Sequence, residues 1–232
     1  VAVSQFNAAD LRAGGAGEVS VIPLLLELDR LGPVAEARTA APGDPEILFV
    51  GRLSPHKRQD AVIHAFGLYR RHLSPGARLR LVGGAVSAAF GERLRALAER
   101  LAPGAVSFEE GLTDAALGDR YRRASAFLCL SEHEGFCLPL VEAMRFGLPA
   151  VAAPLGAVPE TLGDAGLLLG PGDDLAVTAE LLHLAVTDTG LREELRRRAP
   201  ARLAAYDPDA AAGRMRAVIE TVAQTGSWPG GG

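Results

Sequence analysis

Phe127-Leu-Cys-Leu-Ser-Glu-His-Glu134-Gly-Phe-Cys137-Leu-Pro-Leu-Val-Glu142-Ala-Met-Arg-Phe-Gly147-Leu-Pro149 is the stretch on which the fold turns. Phe127–Leu130 is a short run, apolar on both sides, as in a strand buried on both faces of a parallel sheet. Pro139 suits a first helical position, where a missing N–H costs nothing. Gly147 and Pro149 close the helix that follows. Gly135–Leu138 is therefore a strand-to-helix loop. Working outward, the same unit recurs. Apolar runs at Ile47–Val50, Leu79–Val82, Val106–Phe108, Ala150–Ala152 and Leu167–Leu169 alternate with helical patterns near 57–73, 87–101, 114–123, 139–146 and 157–163. This alternation predicts an α/β domain: a Rossmann-like, doubly wound parallel sheet of about six strands with helices on both faces.

Beyond Asp173 the pattern is purely helical, at 173–187, 190–204 and 208–223. Leu191, Leu195 and Leu203 supply one apolar face, and Arg192 with Arg196–Arg198 reads as a solvated one. Before the sheet, Asn7–Arg12 predicts a helix and Val19–Pro23 a strand. Ala35–Pro45 reads as a linker. The Gly/Trp/Pro tail is expected to fray. The opening at Val1, with no Met and no basic leader, is expected of a piece of a longer chain.

Composition narrows the function. Of 24 basic residues 23 are arginine, so Lys57 is the single lysine. Hydrophobic residues make up 48% and the net charge is -4, which excludes a disordered chain and argues against a nucleic-acid coat. Cys129 and Cys137 form no C-x-x-C pair, so neither a zinc site nor a disulfide framework is expected, and a reduced, cytoplasmic compartment follows. The apolar runs fall far short of the ~20 residues that cross a bilayer.

Ligands of doubly wound sheets bind beyond the carboxyl ends of the strands. There the backbone amides near Leu138, Leu140 and Val141 form a helix N-terminus, which favours an anion, usually phosphate. Glu134 on the loop and Glu142, read in the first helical turn, bracket it. Carboxylates accept paired hydrogen bonds from vicinal hydroxyls. Charge in the middle and hydroxyls at both ends describe a nucleotide-diphospho-sugar. Gly51-Arg-Leu-Ser-Pro-His-Lys57 follows the first strand of the unit and brings cations to the same edge. Gly51 permits close backbone approach, Arg52 can fork two phosphate oxygens, and Lys57 is a mobile point charge.

Gly51-Arg52…Lys57 with Glu134-x7-Glu142 around Gly-Phe-Cys-Leu-Pro resembles the retaining glycosyltransferases of family 4, which have the two-domain GT-B fold. Leu81-Val-Gly-Gly84, Phe108…Gly111-Leu-Thr-Asp114 and Gly156-Ala-Val-Pro-Glu160 also match that family's donor-domain landmarks. The resemblance runs from about Val19 to Leu203. It departs at Cys137, where the family often has glycine.

The resemblance implies that Arg52 and Lys57 bind the donor diphosphate and stabilise the leaving nucleoside diphosphate, and that Glu134 holds donor-sugar hydroxyls. It places the amides of Gly135, Phe136 and Cys137 along the sugar, and Glu142 on the ribose. Backbone at Gly111 and Leu112 would read the base, and Gly83 would let the nucleotide lie close to the sheet. No metal and no cofactor is implied. It further implies that residues 1–32 are the tail of an N-terminal acceptor domain, 33–45 a linker, 46–205 the donor domain, 206–224 a helix crossing back, and 225–232 a flexible tail. The donor would carry a UDP- or GDP-linked hexose. The enzyme would be cytoplasmic, with peripheral association at the inner membrane face. Two alternatives stay open: a nucleotide-binding or regulatory module of the same half-fold, and an epimerase-like GT-B relative.

Overall fold

In a computed structural model describing residues 1–34 and 43–225, six short strands form one sheet: β1 (Glu46–Val50), β2 (Arg78–Val82), β3 (Val106–Glu109), β4 (Ala126–Cys129), β5 (Ala150–Ala152) and β6 (Leu167–Leu168). All pairings are parallel, in the order β3-β2-β1-β4-β5-β6. The chain winds outward from β1 to β3, then returns to the centre at β4. The reversal leaves a crevice between the ends of β1 and β4, the place where such sheets bind ligands.

Side-chain alternation along the strands sends residues to two cores. Ile47 and Phe49 of β1 join Leu79 and Leu81 of β2 beneath α2 (Gln59–His72), α3 (Ala88–Leu101) and α7 (Leu175–Thr187). Leu48 and Phe127 point the other way, to Tyr121 of α4 (Asp114–Arg123), Leu140 and Met144 of α5 (Leu138–Arg145) and Ala199 of α8 (Thr189–Leu203). Helices thus cover both faces, as the two-sided apolar runs predict. The helix starts are equally legible. Ser87 and Thr113 cap α3 and α4 by accepting hydrogen bonds from the Phe90 and Ala116 amides. Short α6 (Val158–Leu162) follows β5, and α9 (Pro208–Thr225) ends the described chain.

Some expectations need correction. Val19–Pro23 forms no strand; it makes a single bridge, Val21 to Ala2. The ladder stops there because Ser4 already caps the next helix, α1 (Gln5–Ala13), by accepting from the Asn7 amide. Arg192 is not on a solvated face. It folds inward to the carbonyls of Ser125, Ala185 and Val186, and burial lowers its pKa. Arg196, Arg197 and Arg198 do lie at the surface, paired with Glu193 and Glu194 of the same helix. Most of the linker segment and the tail beyond Thr225 lie outside the described residues. Among the described residues no helix is long and apolar enough to cross a membrane.

Candidate functional site

The β1 loop is held in shape by Gln59, which is fully buried. Its amide donates to the Arg52 carbonyl at 3.0 Å and accepts from the Ser54 amide at 3.2 Å. A 3-10 turn, Pro55–Lys57, follows, and Arg58 takes the left-handed conformation at φ 50° before α2 begins. That kink swings Lys57 across the crevice. Its Nζ lies 2.7 Å from both carboxylate oxygens of Glu134. The sequence reading placed the two on separate tasks, phosphate and sugar; the fold places them in direct contact. Arg52 is exposed, and its guanidinium has no partner among the described residues.

Glu134 opens the turn before α5 and is 6% exposed. The turn is fixed from α6. The Ala157 amide donates to the Glu134 carbonyl at 2.8 Å, and the Thr161 hydroxyl donates to the Phe136 carbonyl. Gly156 sits so close that a Cβ there would lie 2.5 Å from the Glu134 carbonyl oxygen. The Phe136 ring meets Tyr206 edge-on at 5.1 Å. Cys137 caps α5 in the left-handed region, φ 64°. The amides of Gly135, Phe136, Cys137 and Leu138 have no protein partner among the described residues, so four successive donors remain on this turn. Leu140 differs from expectation: its amide is already bound by the Cys137 carbonyl at 3.0 Å.

Glu142 lies past the first turn of α5 and is 2% exposed, so it is not a dipole-compensating surface carboxylate. Tyr121 donates its hydroxyl to one oxygen at 2.7 Å, and Arg30 bridges the other to Asp114. Burial pushes the Glu142 carboxyl above its ordinary range, opposed by the Tyr121 hydrogen bond and Arg30. The same enclosure raises the Tyr121 hydroxyl.

Gly111 is left-handed at φ 67° in open space, with Leu112 half-buried against the core that holds Leu48, Tyr121 and Phe127. Gly83 has an internal reason to be glycine. A Cβ there would lie 2.1 Å from the Gly51 carbonyl, because the two loops run side by side beyond the β1–β2 ladder, joined by the parallel bridge Leu53 to Ala85. The cysteines, set aside in the sequence as a pair, are brought together at 3.7 Å between sulfurs, both buried and unbonded. Their shared hydrogen bond raises the Cys137 thiol and lowers that of Cys129. Cys129, Cys137 and Glu134 are the group among the described residues whose donor atoms are spaced to hold a metal ion.

The family model for glycosyl transferases group 1 matches residues 35–202. The chain belongs to that family. A D-inositol 3-phosphate glycosyltransferase of Streptomyces bingchenggensis is 35% identical to this group 1 chain over 195 residues, 76% of the chain and 42% of the relative. O-antigen chain mannosyltransferase B of Escherichia coli is 31% identical over 147 residues, covering 63% of the chain and 38% of the relative. The chain spans less than half the length of these curated relatives. Among solved structures, the sucrose-phosphate synthase of Thermosynechococcus elongatus superposes with a TM-score of 0.81 at 25% identity, over 95% of the group 1 chain and 57% of the synthase. Anabaena HepE, solved with UDP and glucose, superposes at 0.78 and 23% identity, over 95% of the group 1 chain and 62% of HepE. The fold is thus that of one GT-B half.

Several residues at this edge had no signal in the sequence. Gln59 and Thr161 act on backbone carbonyls, which no side-chain motif reveals. Tyr121 reads as one more apolar position of α4. Arg30 lies 112 residues from Glu142 and is one arginine among many. Glu160, the end of the Gly156–Glu160 motif, accepts from the Gln5 amide at 2.8 Å and so docks the start of α1 beside the turn.

Proposed function

We propose that this chain is the donor-binding half of a retaining, metal-independent glycosyltransferase that takes a hexose from a UDP- or GDP-linked sugar. The observation that carries the reading is the meeting of Lys57 with Glu134 beside four unpartnered amides, at the point where the strand order reverses. A diphosphate needs fixed cations and amide donors. A sugar needs a carboxylate and amides next to them. Both sets stand on the same turn.

In this reading Lys57 leaves Glu134 for the diphosphate and Arg52 swings in from the exposed loop. The two cations stabilise the negative charge that grows on the departing nucleoside diphosphate. Glu134, freed, accepts from sugar hydroxyls, with the Gly135–Leu138 amides alongside. Glu142 accepts from the ribose diol once Arg30 yields. Backbone at Gly111 and Leu112 meets the base, while Gly51 and Gly83 let the loops lie close beneath it. The acceptor hydroxyl attacks from the face the leaving group departs, and its proton passes to a phosphate oxygen. Residues 1–32 belong to the acceptor half, 46–205 to the donor domain, and 206–224 to a helix that returns to the acceptor half. The whole enzyme works in the cytoplasm, at the inner membrane face.

Titration of the chain with UDP, GDP and ADP tests the reading. At least one is expected to bind. Absence of binding by all three to a folded sample rejects it.

A further inference from the structure

Cys129 ends β4 and Cys137 caps α5, with their sulfurs 3.7 Å apart. A disulfide would hold them at about 2.05 Å, so these are two free thiols in contact. In a tetrahedral dithiolate with metal–sulfur bonds of about 2.3 Å, the sulfurs stand about 3.8 Å apart. The pair is therefore already at chelate spacing. A Glu134 oxygen completes a trio of buried groups whose donor atoms all lie within 4.8 Å of one another.

We propose that Cys129, Cys137 and Glu134 bind a thiophilic divalent cation of the Zn2+ or Cd2+ class, and that its binding withdraws Glu134 from the donor sugar. The charges balance. Each thiol gives a proton to solvent, and the two thiolates cancel the cation. Glu134 stays balanced by Lys57, which is 2.7 Å from both oxygens and leaves lone pairs on each for the metal. A neutral cluster is what a buried site tolerates. The Ser131 hydroxyl, 3.5 Å from the Cys129 sulfur, can donate to the thiolate. Sulfur ligands select soft cations over Mg2+ or Ca2+. Cys137 also occupies a left-handed backbone position, φ 64°, where a side chain is strained.

The test is a Cd2+ titration of the unaltered chain in a non-thiol reductant. It reads the thiolate-to-cadmium charge-transfer absorption and the protection of both thiols from iodoacetamide. Saturation at a single equivalent, protection of both cysteines and no response to Mg2+ are expected. Cys129→Ser and Cys137→Ser should each weaken Cd2+ about 100-fold or more, and Glu134→Gln about tenfold. No charge-transfer band with folded protein, or unchanged affinity in either serine variant, overturns the site. The charge-transfer band of the unaltered chain decides the matter even where a serine variant fails to fold. The effect on the donor rests on the proposed function. Saturating Cd2+ should weaken UDP-glucose or GDP-mannose, whichever binds, more than the matching nucleoside diphosphate, because both lose Lys57 but only the sugar loses Glu134. Unchanged nucleotide-sugar affinity overturns the competition, and failure of every nucleotide to bind without metal rejects the functional reading together with it. In both cases the charge-transfer band still decides the metal site.

Discussion

Lys57 and Glu134 neutralise one another in a place where only 20% of one side chain and 7% of the other meets solvent. Removing the lysine leaves a carboxylate enclosed without its partner. Lys57→Ala is therefore expected to lower stability by about 1–3 kcal/mol, and Lys57→Ala with Glu134→Gln to regain most of it. Nucleoside diphosphate binding should follow a different rule. It should fall about 10–100-fold in both lysine variants, because the phosphate loses a charge-assisted hydrogen bond either way. Denaturation and calorimetric titration of the three proteins separate the two effects. Glu142 offers a pH test. Its folded pKa is raised, chiefly by burial, so the protein is more stable with it protonated, and that stability is lost as pH rises through the folded value. Glu142→Gln keeps the shape without the charge. It should melt at the same or a higher temperature than the parent at neutral pH, with the gap closing as pH falls toward the ordinary carboxylate value. At neutral pH it should also bind nucleoside diphosphate about tenfold more weakly, since a ribose diol loses its ionic acceptor. Glu134→Gln should spare the nucleoside diphosphate and weaken only the intact nucleotide-sugar.

At the scale of elements, the turn before α5 is shaped from outside itself, by α6. Gly156, just ahead of α6, is left-handed at φ 62° and pressed on the Glu134 backbone. Gly156→Ala adds both a strained conformation and an overlap, and should cost about 2–4 kcal/mol. It should also weaken nucleotide-sugar more than nucleoside diphosphate, which parallel titrations would reveal. This dependence marks the limit of what the sequence conveyed. Strands and helices were legible because each writes its own period and its own caps: Thr113 ahead of α4 and Pro139 in α5 sit where the pattern puts them. Lys57 and Glu134 stood out as candidates because Lys57 is the single lysine and both lie on loops leaving strands, whereas Glu142 stood out only by its spacing from Glu134 and lies inside α5. Val19–Pro23 misled because an alternating run does not say whether a partner strand exists. Gln59, Thr161 and Arg30 were hidden because their partners are backbone atoms or residues far along the chain. The cysteines were hidden because a spacing of eight has no meaning until a strand and a turn bring its ends together.

The chain matches less than half of the length of its group 1 relatives. On the proposed reading, the chain is a donor half that holds one reactant and lacks the cleft in which the other is positioned. The chain mixed with a nucleotide-sugar it binds is therefore expected to give no transfer to any sugar acceptor, and transfer should appear only when an acceptor half is joined to it. Transfer by the chain alone, followed by release of nucleoside diphosphate, contradicts the division into halves. Ile219 on α9 is 60% exposed, on the helix proposed to return toward that half.

The reversal of strand order between β1 and β4 has a consequence in time. Each helix can begin to form from neighbours in the chain, but the Lys57–Glu134 contact closes a loop of 77 residues and exists only after β1 and β4 have paired. Contacts between distant parts of a chain form slowly, because closing the loop costs entropy before the contact repays it. Helical signal should thus recover early in refolding, and nucleotide affinity late. In synthesis, Lys57 leaves the ribosome well before Glu134 has been made. A chain stalled between them would carry every arginine of the β1 loop and its lysine, but not the carboxylate that the lysine pairs with.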